Sequence, residues 1–328
     1  MRLDDFSMNI AIVGAGAWGT AMALHANRCE HKVTLFPRDQ KELDRIAIHN
    51  ENVDYFPGFT IPDEITLTLD FNLLESSDVI FIACPSVGLN DLCNNIKQYN
   101  LQKDCCVISL CKGLPYDSLT FPSDIIESSI STSFAIFAGP TYAKEVAKGL
   151  PTNVDLASKN KAIADIANKL NFGTIGIRCT SDIRGVELGS CLKNIYAIGA
   201  GILDGMELGD NFRCAYITSA IKEISDIGVN FGGQRETFYG ASGLGDLMAT
   251  CSGVWSRNRT FGERIGRGET PEKILATSIS AIEGYKTSKI FFNECTKLGL
   301  KIPIMEKIYH IVYGGKSLEE ADFHSCIL

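Results

Sequence analysis

The stretch MNIAIVGAGAWGTAMALHANRCEHKVTLFPRD, residues 8–39, decides the fold. Asn9–Val13 is a short apolar run of strand type, and Lys32–Phe36 is a second. Between them lies a helical pattern opened by Gly14-x-Gly16-x-x-Gly19. Gly14 permits the tight strand-to-helix turn, Gly16 lets backbone approach a pyrophosphate, and Gly19 lets helix pack on strand. Unsatisfied N–H groups at the helix start receive the anion. A lone glycine motif is weak, but one framed by strand and helix predicts a dinucleotide-binding βαβ unit. Cofactor choice is read at the end of the second strand, where an acid holds a ribose 2′-OH and an arginine receives a 2′-phosphate. Pro37 occupies the position expected for the acid and Arg38 follows. NADP(H) is therefore favoured. Asp39 keeps NAD(H) open, and a solvated Arg38 is the competing reading.

Outward from this unit, the first half continues to alternate short apolar runs with helical patterns, as βαβ units around a parallel sheet do. Further strands are expected at Asp78–Ala83, Cys105–Leu110, Ser133–Ala138 and Asn153–Ala157. Their nearly continuous Val, Ile, Leu and Phe suit strands covered on both faces. From about Ser181 the pattern becomes long helical stretches broken by glycine-rich turns such as NFGGQR and GASGLGD. The expected architecture is α/β: a Rossmann-like doubly wound sheet over residues 1–180, then an all-helical substrate and catalytic domain over 181–328. The join is expected near IRCTSDIRG.

Composition narrows the function. The 328 residues suffice for two cores, with 45% hydrophobic and 21% charged content. A net charge of −8 argues against nucleic-acid binding and leaves room for a small anionic substrate. Twelve cysteines are scattered, many in apolar runs such as VIFIACPS and CCVISLCKG, and the start of the chain has no signal-peptide pattern. Reduced thiols in a cytoplasmic protein are expected. No apolar run approaches the roughly 18 residues of a membrane span. His25, His31, His49, His310 and His324 have no ligand spacing, so no metal site is expected.

Several stretches concentrate polar groups among glycines. SLCKGL sets Lys112 just after a buried strand, where open α/β sheets bind ligands. AGPTYAKEVAKGLP begins a helix after Gly139-Pro140. YGASGLGDLMATCSG spaces Asp246 and Thr250 one helical turn apart, and WSRNRTFGERIGRGE offers Arg257 and Asn258 as a phosphate clamp. Turn glycines, a helix N-cap at Asp246 and a solvated basic segment at 257–267 are the plain structural alternatives. Within GSCLKNIYAIGAG, Leu188, Leu192, Ile195 and Ile198 recur at helical steps. Lys193 rises from a smooth stripe, with Gly189 and Ala197 four residues to either side, which would let a ligand approach; a solvated lysine on a two-sided helix is the competing reading. A nicotinamide enzyme without metal needs a proton donor, and Lys193 is the candidate. Gly205 reads as turn chemistry.

In order and spacing, GAGAWGTAMA, NVDYFPGF, ACPS, SLCKGL, GPTYAKEVAKGLPT, GSCLKNIYAIGAG, GLGDLMATC, SRNRTFG and IEGY resemble the bacterial NAD(P)-dependent glycerol-3-phosphate dehydrogenases. The resemblance runs from about residue 9 to YGGK at 313–316. It implies reduction of dihydroxyacetone phosphate to sn-glycerol 3-phosphate, the backbone precursor of phospholipids. It implies Lys193 as the catalytic proton donor and acceptor. Lys112, Gly139, Thr141, Asp246, Ser256, Arg257 and Asn258 match substrate positions. Gly14, Gly16, Ala17, Trp18, Gly19, Arg38, Lys112, Ala143, Arg257, Ile282 and Glu283 match cofactor positions. The chain departs from the family pattern in three places: Ala17 stands where many relatives have Ser, Cys84 replaces a common Val, and Cys191 precedes Lys193 by two residues.

In the expected mechanism the substrate sits between the domains with its phosphate on Arg257 and Asn258, and Lys193 protonates the developing alkoxide. Lys112 adds positive charge at the same oxygen and lowers the pKa of Lys193, while Asp246 orients it. Two other readings are a dehydrogenase of another hydroxy acid and a non-catalytic NADP(H)-binding regulator. A homodimer is compatible with the apolar patterns of the helical half.

Overall fold

A computed structural model describes residues 7–170, 174–278, 281–322 and 325. His324 and most of the short head before the first strand lie outside the described residues, as do the last three residues of the expected second domain. Among the described residues eight strands form one sheet: β1 (Asn9–Val13), β2 (Lys32–Phe36), β3 (Thr66–Leu67), β4 (Val79–Ile82), β5 (Cys106–Ser109), β6 (Ser133–Ala138), β7 (Thr152–Ala157) and β8 (Ile175–Thr180). Their order is β3-β2-β1-β4-β5-β6-β7-β8. The first six are parallel in the dinucleotide-fold order, with the switch point between β1 and β4. β7 runs antiparallel to β6, and β8 lies parallel to β7.

Six of the eight strands stand where the apolar runs predict them, with ends shifted by no more than one residue. β3 and β8 were not expected. β3 is two residues long, and β8 is an edge strand whose burial falls away along its length, so neither carries a continuous apolar run. The central strands are buried on both faces, as their sequences require. Ile10, Ile12, Val33, Leu35, Val79, Phe81 and Ile108 pack into one core. Ala11, Val13, Phe36, Ile80, Ile82 and Val107 pack into the other. Around the sheet lie α1 (Ala17–Arg28), α2 (Gln40–His49), α3 (Leu89–Ile96), α4 (Pro122–Ser129), α5 (Ala143–Ala147) and α6 (Ile163–Leu170).

The second half is helical: α7 (Ile183–Gly205), α8 (Gly209–Asn230), α9 (Arg235–Phe238), α10 (Asp246–Ser252), α11 (Arg257–Gly266), α12 (Pro271–Thr277), α13 (Glu283–Lys297) and α14 (Pro303–Val312). Contacts divide the chain at Ile183/Arg184, with Tyr116–Leu119 joining the second unit. Within that unit Asp117 pairs with Lys286 at 2.8 Å.

Helix α7 is buried along most of its length, and its small residues are there for backbone packing. A Cβ at Gly201 would lie 1.9 Å from the Arg259 carbonyl oxygen, and one at Gly262 would lie 1.9 Å from that of Ile198. Gly205 and Gly266 repeat the crossing one turn on, so α7 and α11 meet backbone to backbone. Gly205 is thus a packing glycine, which corrects its reading as turn chemistry. The smooth stripe beside Lys193 has a similar cause, since a Cβ at Gly189 would lie 2.7 Å from the Ser242 carbonyl oxygen. At Gly189 the stripe fits the 241–245 turn.

Candidate active site

In the sheet unit the glycine loop is held from three sides. Gly14 takes a φ of +113°, its N–H donates to the Phe36 carbonyl at 2.9 Å, and its α-carbon abuts Ala83. Gly19 must lack a side chain, because a Cβ there would lie 1.9 Å from the Gly14 carbonyl oxygen. Gly16 differs: a Cβ would meet nothing within 4 Å, so the loop leaves open space there. Beside it the buried Trp18 indole Nε1 has no hydrogen-bond partner among the described residues, while the ring packs on Phe137. An open backbone cradle at a helix start and an orphaned donor fit a bound dinucleotide. Ala17 opens α1 and Ala143 opens α5.

At the end of β2, Asp39 caps α2 by accepting from the Glu42 N–H at 2.9 Å, and its other oxygen accepts from Arg38 Nε at 3.0 Å. Glu42 returns the favour by accepting from the Arg38 N–H at 2.6 Å. Both local acids are therefore engaged. A cleft of about 320 Å³ here is lined by Arg38, Lys41 and Arg45 with Asp39, Glu42, Asp54 and Tyr55. A cleft of equal volume at the opposite end of the strands, lined by Asn9, His31 and Lys32, contains none of the predicted site residues. After β5, Lys112 Nζ donates to the Gly139 carbonyl at 3.3 Å and to Thr141 Oγ1 at 3.1 Å. The structure thus brings together three predicted residues from two strand ends. Gly139 is a glycine for steric reasons: a Cβ would lie 2.8 Å from the Asn153 carbonyl oxygen.

In the helical unit Lys193 Nζ lies 2.5 Å from Asp246 Oδ2, with both side chains about 95% or more buried. Asp246 is the first residue of α10, not its cap, and it is turned inward by the π-turn at Ala241–Gly245. Thr250 donates to the Asp246 carbonyl at 2.6 Å. Ser256 caps α11, accepting from the Arg259 N–H at 3.2 Å. Asn258 is buried, donating to Asn194 Oδ1 at 2.9 Å and accepting from the Gly284 N–H at 2.9 Å. Asn194 in turn donates to Glu283 Oε2 at 3.3 Å, and the buried Ile282 caps α13 just before it. The Asn258 side chain is thus occupied with other protein groups.

The basic segment at 257–267 sorts itself by pairing. Arg259 pairs with Asp204 and Glu263, Arg264 with Glu269, and Arg267 with Glu263. Arg257 is exposed and has no ion pair or hydrogen bond among the described residues. It stands at the N-terminus of α11, where the first-turn N–H groups lack helical partners. No cluster of His, Cys, Asp or Glu that could hold a metal occurs among the described residues.

Family models match both halves of the chain, the N-terminal region of NAD-dependent glycerol-3-phosphate dehydrogenase at 9–164 and its C-terminal region at 182–322. The chain belongs to the NAD-dependent glycerol-3-phosphate dehydrogenase family. It is 36% identical over 316 residues to the glycerol-3-phosphate dehydrogenase [NAD(P)+] of Thermoanaerobacter sp. (strain X514), covering 96% of this chain and 95% of that protein. The enzyme of the same name from Fusobacterium nucleatum is 33% identical over 319 residues, covering 96% and 95%. The 2.1 Å crystal structure of glycerol-3-phosphate dehydrogenase from Coxiella burnetii superposes with a TM-score of 0.87 at 32% identity, covering 96% of this chain and 98% of that one.

Membership in the glycerol-3-phosphate dehydrogenase family does not by itself reveal three supporting residues. Asn52 is buried in the NVDYFPGF stretch and donates to the Ala15 carbonyl and to Thr20 Oγ1, bracing the glycine loop. Asn194 links Asn258 to Glu283. Glu223 is buried and accepts from Tyr196 Oη at 2.8 Å and from the Ile304 and Met305 N–H groups at 2.9 Å each. Burial raises its pKa above the ordinary carboxylate value against the pull of those three donors. An amide beside a catalytic candidate was a visible signal for Asn194. Glu223 looks in sequence like any surface helical acid.

Proposed function

We propose that this chain catalyses the reversible NAD(P)H-dependent reduction of dihydroxyacetone phosphate to sn-glycerol 3-phosphate, supplying the glycerol backbone of phospholipids. The observation that carries the reading is the buried Lys193–Asp246 ion pair. An ammonium kept from water beside a carboxylate is costly to bury, and a proton-transfer role gives the pair a purpose. Residues 1–180 serve as the cofactor domain and 181–328 as the substrate and catalytic domain. The reduced nicotinamide supplies the hydride when bound.

This chain's residues do the rest. Gly14, Gly16, Ala17, Trp18 and Gly19 hold the dinucleotide, with Ala143, Ile282 and Glu283 as further cofactor residues. Arg257 takes the substrate phosphate through its guanidinium, and Asn258 and Ser256 shape that helix start. Lys193 gives its proton to the oxygen that becomes the 2-hydroxyl, and Asp246 orients it and balances its charge. Lys112, steadied by Gly139 and Thr141, adds positive charge at the same oxygen. NADP(H) is the preferred cofactor, because the acids near Arg38 are engaged while Arg38, Lys41 and Arg45 line the cleft. Reduced cysteines and the absence of a membrane-spanning helix among the described residues support action in the cytoplasm.

The test is oxidation of NADPH and NADH, followed at 340 nm on the order of minutes, with dihydroxyacetone phosphate or unphosphorylated dihydroxyacetone. Turnover with the phosphorylated ketone alone, faster with NADPH, is expected. Equal use of both ketones would remove the phosphate clamp. No turnover despite cofactor binding would overturn the reading.

A further inference from the structure

Cys84 follows β4 and Cys111 follows β5, neighbouring parallel strands paired through Ile82 and Ser109. Carried two residues further, that register sets the two cysteines opposite one another. The ladder continues that way, since the Leu110 N–H donates to the Ile82 carbonyl at 2.9 Å. Cys111 Sγ then donates to the Cys84 carbonyl at 3.3 Å. Adjacent strands lie about 4.7–4.9 Å apart, within the roughly 4.4–6.8 Å between α-carbons that a disulfide spans. Cys84 is half-buried and Cys111 is buried.

We propose that Cys84 and Cys111 are a thiol modification site, oxidised by hydroperoxides to a disulfide that disables the cofactor loop. In the first step the Cys84 thiolate attacks a peroxide oxygen. An S–O bond forms, the O–O bond breaks, and the leaving hydroxide takes a proton to become water. In the second step Cys111 sulfur attacks the Cys84 sulfenic sulfur. The S–S bond forms, the S–O bond breaks, and the Cys111 proton leaves with the hydroxyl as water. Two sulfurs together lose two electrons, and one hydrogen peroxide is reduced to two waters.

Two observations mark out this pair. A side-chain hydrogen bond from Cys111, distinct from its bond to the Cys84 carbonyl, draws the Cys84 thiol below its ordinary pKa, the direction that favours a thiolate. Burial instead pushes Cys29 and Cys106 up to about 11, and Cys93, Cys105, Cys251 and Cys295 up to about 12. The pair also sits under the dinucleotide loop. A Cβ at Gly14 would lie 2.8 Å from the Ala83 carbonyl oxygen and 3.1 Å from the Cys84 N. Lys112 follows Cys111 directly. A covalent bond between the two strand extensions replaces the Cys111 contact with the Cys84 carbonyl, and so constrains the surface on which Gly14 rests and the start of Lys112.

The consequence for activity rests on the function proposed above, whereas formation of the bond does not. The experiment treats the full-length protein with hydrogen peroxide, then measures three things: peptide linkage by mass spectrometry, NADPH binding by fluorescence, and ketone reduction. The expected result is a peptide pair joined through Cys84 and Cys111, lighter by two hydrogens, with loss of NADPH binding and of turnover. Dithiothreitol breaks the linkage and restores NADPH binding and turnover. Cys84→Val and Cys111→Ser form no such pair and keep NADPH binding under the same treatment. Absence of the 84–111 pair in the wild-type protein overturns the proposal. So does a linked protein that still binds NADPH, or a Cys84→Val protein that loses binding as fast as wild type. Should the chain lack dehydrogenase activity altogether, linkage and NADPH binding still decide the matter.

Discussion

At Lys193 the cost of burial and the proposed proton transfer meet in one side chain. Removing one partner of a buried ion pair strands the other, at a cost of about 3–5 kcal/mol. Lys193→Ala should therefore lower stability as well as lower kcat by about 10²–10⁴-fold, leaving NADPH affinity near normal. The double variant Lys193→Met/Asp246→Leu separates the two effects. It should regain stability in a urea titration while staying inactive, and recovered turnover would remove Lys193 from the proton-transfer role. Arg257 offers the complementary case, since its guanidinium is exposed and unpaired among the described residues. Arg257→Ala should leave the fold intact and raise KM for the phosphorylated ketone by about 10- to 100-fold, the worth of a charge-assisted contact. An unchanged KM would rule out the clamp.

At the scale of elements, glycines that look alike in sequence do opposite work. Gly16 faces open space and has φ −67°, ψ 178°, which alanine adopts without strain. Gly16→Ala should hold its stability within about 0.5 kcal/mol while weakening NADPH binding, as fluorescence titration would read. Gly262 lies in the α7–α11 crossing, where a Cβ would be 1.9 Å from a backbone oxygen. Gly262→Ala should cost about 1–3 kcal/mol or more through forced separation of the helices, seen as a lowered Tm. A Gly262→Ala protein as stable as wild type would mean that the crossing relaxes freely. The Rossmann elements were legible because each carries its own apolar run and turn chemistry. β8 was not, because an edge strand is defined by its neighbour, β7, and not by its own pattern.

At the scale of the folded unit, the sheet domain carries a pH-sensitive tie. His25 on α1 is buried, and its Nε2 hydrogen-bonds the Leu170 carbonyl at 3.2 Å, 145 residues away. Its Nδ1 is buried with no partner among the described residues, so a second proton would have nowhere to be received. Burial first, with Arg28 and His31 adding positive charge nearby, lowers its pKa from 6.5 to about 4. The unfolded chain therefore binds more protons between pH 6.5 and 4. This contribution is full above about pH 6.5 and is lost as pH falls through that window. Between pH 7 and 5 the loss amounts to about 2 kcal/mol. Urea unfolding of His25→Gln should show a correspondingly flatter pH dependence, and equal slopes for both proteins would exclude His25 as the cause.

The sequence alone determined the dinucleotide unit, the alternation of strand and helix, the helical second half and the family. Those properties are written in local periodicity and in glycines whose turn chemistry needs no distant partner. Only the tertiary structure decided which residues of that inventory meet. Lys193 and Asp246, 53 positions apart in the chain, are joined by the inward turn before α10. Asn258 turns into a network with Asn194 and Gly284, where the sequence suggested a clamp side chain. Gly189 and Gly205 admit backbone, where the sequence suggested a ligand or a turn. Cys84 and Cys111 are neighbours through strand register alone. Pairing across the fold depends on which backbone lies opposite, and one-dimensional spacing does not carry that.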